Sequence, residues 1–268
     1  MTTIAAPAPA DLARVRATPR VALRDIATIA RRNLRRVLRT PQLLVVSAVP
    51  PVLFVVLFRY VFGGAIHTSG GNYADYLLPT VLILTQLLGA TTAVALATDL
   101  AGGMVDRFRS LPIARPAVLA GRTIADLGRG ALVVLAGLLA GLAVGFRFHT
   151  GFLPSLGSIG LVLAFSFAMS WWMAWVALKV KDPETAQVAG FLPLVPFVFA
   201  SSGFVPVASM PGWLQGFANA QPFSVTISAV RALTQGGPTA HYLWQSAAWI
   251  VGIMVVFGAL AVMEYRKV

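Results

Sequence analysis

Long apolar runs alternate with short polar joints along this chain, on a period too long for strands and too uniform for the amphipathic helices of a soluble core. Apolar runs fall at residues 42–62, 77–98, 123–145, 156–178, 187–205 and 242–263. A helix needs about 20 such residues to cross a hydrocarbon core roughly 30 Å thick. Inside that core every backbone N–H and C=O must be paired within the segment, so helices are expected. Barrel strands would instead alternate apolar and polar over about ten residues. The pattern predicts an all-α integral membrane protein with six transmembrane helices. Composition agrees: 57% of residues are hydrophobic and 11% charged, with a mean hydropathy of +0.79.

Between the runs, the pattern divides the chain into three parts. Residues 1–20 are Ala- and Pro-rich without periodicity, and a flexible tail is expected. Over 21–40, Leu23, Ile26, Ile29, Leu34, Val37 and Leu38 share one helical face while Arg24, Arg31, Arg32, Arg35 and Arg39 share the other. That is an amphipathic helix suited to the headgroup plane. Residues 41–268 form the membrane domain. Asp182-Pro183-Glu184-Thr185 reads as a helix start with Pro in the first turn. The stretch 206–241 is too broken to span and too apolar for a free loop; one or two short helices folded back at the outer face are expected there.

Charge sets the orientation. Nine Arg precede the first run; Arg107, Arg109, Arg115 and Arg122 follow the second, Lys179 and Lys181 the fourth, and Arg266 and Lys267 the last. The opposite side holds only Arg59, Arg147 and Arg231. Lys and Arg accumulate on the cytoplasmic side, which predicts cytoplasmic termini. The net charge of +12 is thereby assigned to membrane lipid rather than to nucleic acid, for which no groove-reading domain exists. No signal-peptide pattern precedes residue 42.

Much chemistry is missing. The only lysines are Lys179, Lys181 and Lys267, and none follows a Gly, so a phosphate-binding P-loop is excluded. His67, His149 and His241 are scattered, there is no Cys, and no metal site is expected. No nucleophile elbow occurs, so no catalytic residues are assigned. Among ionisable groups in the runs, Asp126 and Arg129 lie three apart and can form a structural ion pair near one end of the third. That is too little for a proton relay, which places the energy source on another polypeptide.

Two stretches carry a family resemblance: GMVDRFRSLPIARPAVLAGR (103–122) and GFVPVASMPGWLQGFANAQPFSVTISAVRALTQGG (203–237). The chain resembles the permease subunits of ABC-2 type transporters, in the daunorubicin-resistance-like branch of exporters. The resemblance implies that residues 102–112, with Asp106, Arg107, Phe108, Arg109, Ser110, Leu111 and Pro112, act as a coupling helix resting on a separate ABC ATPase subunit. ATP and Mg would sit on that partner, with no cofactor on this chain. It implies a bacterial plasma-membrane location and a second permease subunit, identical or paralogous. It further implies a path for a hydrophobic or amphipathic substrate between spans two and five. Thr85, Gln86, Thr91 and Thr92, with Phe191, Phe197, Phe199, Ser201 and Ser202, are the candidate path residues, although Thr and Ser equally serve to glue membrane helices together. The rival readings are a gradient-driven secondary transporter and a lipid-modifying membrane protein.

Overall fold

The computed structural model describes residues 41–61, 73–88, 92–101 and 115–267. The tail, the amphipathic stretch 21–40 and the coupling segment 102–112 lie outside the described residues. Among these, the chain is helical without a strand. The helices are α1 (Pro41–Val61), α2 (Tyr73–Leu88), α3 (Thr92–Ala101), α4 (Arg115–Ala143), α5 (Phe152–Val180), α6 (Pro183–Phe191), α7 (Val195–Phe199), α8 (Gly212–Ala220), α9 (Pro222–Gln235) and α10 (Thr239–Lys267). Among the described residues, three stretches are long and apolar enough to cross a membrane: Asp126–Ala143 of α4, Phe152–Val180, and Thr239–Tyr265 of α10. The apolar part of α1, Val45–Val61, is shorter.

α5 is the axis of the bundle. It packs against α10, α9, α3, α4, α6 and α2, and its buried residues include Phe165, Met169 and Met173. The opposite faces of the surrounding helices stay apolar and open: Val46 is 67% and Val255 64% exposed. Surface of that kind is costly in water and ordinary against lipid tails.

Close approach of α2 to α4 rests on missing side chains. Leu78, Leu82 and Gln86 repeat every four residues along one face of α2. They settle on Gly141, Gly137 and Gly130 of α4. A Cβ at Gly137 would lie 2.7 Å from Leu82 Cδ2 and 3.3 Å from Pro51 of α1; one at Gly141 would lie 2.7 Å from Leu78 Cδ2. Small residues at such a seam are how membrane helices gain packing where no hydrophobic drive exists.

The apolar run 187–205 departs from the expected continuous helix. α6 passes into a 3-10 turn at Leu192–Leu194, then α7, and the chain is not helical from 200 to 206. Pro193 and Pro196 each remove an amide donor, and each ring crowds the preceding turn, so a regular helix cannot persist. The run 77–98 falls on α2 and α3, with 89–91 outside the described residues. Stretch 206–241 folds into the two short helices α8 and α9, and the start of α10. Asp182 caps α6 as its spacing predicts, accepting from Thr185 N at 2.8 Å.

Candidate functional site: a broken helix held by buried polar side chains

The break at 200–206 leaves backbone groups that no helix satisfies, in a protein whose surroundings offer little water. Side chains from both flanks supply the partners. From α2, Tyr76 Oη donates to Ser202 O at 2.8 Å and Thr80 Oγ1 to Gly203 O at 2.9 Å. From the start of α9, Gln221 Nε2 donates to Phe197 O at 2.9 Å. Ser202 N donates to Ser224 Oγ at 2.9 Å, and Ser201 Oγ accepts from Gly203 N at 3.2 Å. Arg231 of α9 completes the clasp. Its Nη2 donates to Tyr76 O at 3.0 Å and to Ser202 O at 3.3 Å, and its guanidinium carbon lies 3.8 Å from the centre of the Tyr76 ring.

Gly203 belongs to this contact for steric reasons. A Cβ there would fall 2.5 Å from Thr80 Cγ2, so only glycine lets the broken backbone reach α2.

The candidate path residues divide. Ser201 and Ser202 are in the clasp and buried. Phe197 packs on Phe217 of α8 at 5.5 Å between ring centres. Phe199 is 65% exposed and stacks on Phe204 at 5.5 Å, which meets Phe58 of α1 at 5.3 Å. Phe191 lines a cavity of about 270 Å³ with Leu87, Ala93, Met173, Gln187, Val188 and Leu192. That cavity, bounded by α2, α3, α5 and α6, is mostly apolar, with Gln187 as the polar side chain among its lining residues.

Thr85 and Gln86 do not join that surface. Thr85 is 2% exposed and donates to Val81 O of its own helix at 2.7 Å. Gln86 is 3% exposed; its Nε2 donates to Gly130 O at 2.7 Å, and its Oε1 accepts from Ser166 Oγ at 3.2 Å. Their polar groups are engaged in packing within this bundle. α2 instead meets the broken segment through Tyr76 and Thr80. Thr91 lies outside the described residues, and Thr92 is the first residue of α3. The seven candidate coupling residues, 106–112, also lie outside them.

Asp126 Oδ1 lies 4.0 Å from Arg129 Nε. Asp126 and Arg129 lie in the first turn of the apolar, membrane-length part of α4, Asp126–Ala143, although the helix itself begins at Arg115. The Arg129 side chain is buried, and its Nε and Nη1 have no hydrogen-bond partner among the described residues. Among the same residues there is no metal-type cluster of His, Asp and Glu.

Sequence reasoning missed Tyr76, Thr80, Gln221, Ser224 and Arg231. A signal existed: Arg231 is the sole Asp, Glu, Lys or Arg between Glu184 and Glu264. Tyr76 and Thr80, four apart, mark one face of α2.

Comparison with known proteins adds an independent line. The ABC-2 type transporter family model matches residues 24–234. The daunorubicin resistance ABC transporter permease protein DrrB1 of Streptomyces coeruleorubidus is 34% identical over 81% of this chain and 77% of its own. The probable doxorubicin resistance ABC transporter permease protein DrrC of Mycobacterium tuberculosis is 29% identical over 82% and 80%. A putative transport permease, ycf38 of Pyropia yezoensis, is 25% identical over 85% and 76%.

Proposed function

Since the chain belongs to the ABC-2 type transporter family, whose members are membrane permeases, we propose that it is the membrane half of an ATP-driven exporter for a hydrophobic or amphipathic compound. The observation that carries this reading is the match over residues 24–234, which covers α1 to most of α9, to a family with drug-resistance permeases among its members. Nucleotide hydrolysis is assigned to a separate ABC ATPase chain, consistent with the missing P-loop. Residues 102–112 would receive the stroke, with Phe108 and Leu111 as apolar anchors ringed by Asp106, Arg107, Arg109 and Ser110, and with Pro112 closing the segment. Six crossings with cytoplasmic termini and a second permease subunit complete the proposal. The exposed ring of Phe199, backed by Phe204 and Phe58, offers an aromatic wall for the cargo, and the apolar cavity beside Phe191 a second contact.

The test is reconstitution in inverted vesicles with a candidate ABC ATPase subunit from the same organism, using doxorubicin fluorescence as the readout. ATP should drive accumulation only when both chains are present, and Phe108→Asp with Leu111→Asp should abolish it. Uphill transport by the chain alone, or transport that collapses with an uncoupler while ATP persists, would overturn the reading.

A further inference from the structure

Arg231, half-buried, brings its positive charge to the break in the apolar run 187–205. Among the described residues no carboxylate forms an ion pair with it. Its charge is met instead by the Tyr76 ring and by two backbone oxygens, one on α2 and one on the broken stretch, while its Nε has no hydrogen-bond partner. A carboxylate would have fixed the arginine permanently. A π face and two carbonyls form a weaker, directional hold that joins three elements at once: α2, residue 202, and α9.

We propose that Arg231 is the positioning residue that pins the uncoiled 200–206 stretch between α2 and α9, and that the bundle opens at this point by release of that pin. Tyr76 and Arg231 converge on one acceptor, Ser202 O, so losing the guanidinium leaves the oxygen held by a single hydroxyl. Gly203, pressed against Thr80, can then withdraw without a side chain catching. The carbonyl of Ser202 and the amide of Gly203 turn into the space the segment vacates. The hold on Phe197 O by Gln221 and on Ser202 N by Ser224 keeps the α9 side attached, so the gap opens on the α2 side. The pin itself is read from geometry; its consequence for transport rests on the permease reading above.

The absence of Cys in the natural chain allows a direct test with introduced thiols. Val198→Cys, buried in α7, reports on the broken segment, and Ala168→Cys, buried at the centre of α5, reports on the bundle as a whole. Full-length protein in membrane vesicles is labelled with a small maleimide. Arg231→Met should speed labelling at position 198 about tenfold, the scale of losing one charge-assisted hydrogen bond, and leave position 168 protected. Arg231→Lys, which keeps the cation and one donor, should restore most of the protection. Should Arg231→Met not insert, Tyr76→Leu removes the ring and hydroxyl instead and should give the same pattern. Unchanged labelling at 198, or equal exposure of 198 and 168, would overturn the pin. A released position 198 in a complex that moves no doxorubicin would instead uphold the pin and reject the permease reading.

Discussion

α5 and the stretch that follows it both contain apolar runs and show opposite backbone behaviour. α5 runs unbroken from Phe152 to Val180 and ends only when Lys181 adopts a left-handed conformation, φ 63°. From Pro183 to Ser209 the chain passes through helix, 3-10 turn, helix and irregular backbone. The contrast extends to the polar side chains around each. Ser158 and Ser170 of α5 bond back to carbonyls of their own helix at 2.7 Å each, because a continuous helix asks nothing of its neighbours. The broken stretch draws Tyr76, Thr80, Gln221, Ser224 and Arg231 from elsewhere. In an apolar surrounding an unmet amide or carbonyl costs several kcal/mol, so every break in a buried helix needs a dedicated set of partners. A helix that serves itself is rigid; one whose backbone is served by others can move when those partners let go.

The largest expected effect lies on the self-sufficient side. Gly137→Leu forces a side chain between Leu82 and Pro51, where overpacking costs about 1–3 kcal/mol. Denaturation in mild detergent should show that loss across the whole bundle, with α1, α2 and α4 loosening together. A loss confined to the 200–206 stretch would erase the distinction between the two regions. Next is Gln221→Leu, which strands Phe197 O and Phe223 N at about 1–3 kcal/mol for the unmet groups. Amide exchange should rise at residues 197–203 and 223–226 and stay unchanged in α5.

How much of this was legible beforehand follows the same division. The apolar runs place α1, α5 and α10 within a few residues and the end of α4, whose start at Arg115 lies eight residues before its run, since a lipid-facing helix needs only length and hydrophobicity. The cap at Asp182 was legible too, from Pro183 and Thr185. The 3-10 turn at Leu192–Leu194 and the irregular backbone at 200–206 were not legible in the run 187–205, because hydropathy does not register a missing amide. Thr85 and Gln86 drew attention as polar residues in an apolar run, but the glycine that makes room for Gln86 lies far away in sequence, at Gly130. Arg231 was counted as a flank charge. Only the fold brings it to Ser202 and Tyr76, and residue type alone does not distinguish a snorkelling arginine from one folded against a neighbouring backbone.

A smaller effect sharpens the boundary between the two regions. Trp172 of α5 donates Nε1 to Gly190 O at 2.8 Å, just before α6 ends, and its ring meets Phe257 of α10 at 4.9 Å. Trp172→Phe keeps ring packing and loses only the bond, which costs about 0.5–1.5 kcal/mol. Exchange should quicken at Gly190 and Phe191 without any change in α10. If α10 loosens equally, the ring and not the bond joins α5 to the broken stretch.

The smallest effect sits where the two regions meet. Asp182 is exposed, and its carboxyl is held below the ordinary aspartate value first by the Thr185 hydroxyl and then by the Thr185 amide. A carboxyl whose value is lowered by folding stabilises the fold in its ionised form. The cap is therefore at full strength above the ordinary aspartate range and fades as pH falls through the lowered value. Thr185→Ala removes the larger contribution and keeps the amide, so Asp182 should titrate closer to an unperturbed aspartate, as a carboxyl-carbon NMR titration would read. Fraying of α6 in acid should begin at correspondingly higher pH in the variant, while α5, which ends on a backbone conformation and not on a charge, should show no such onset. An unshifted titration in Thr185→Ala would assign the cap to the backbone amide alone. The start of the broken region would then depend on its neighbours no more than the end of α5 does.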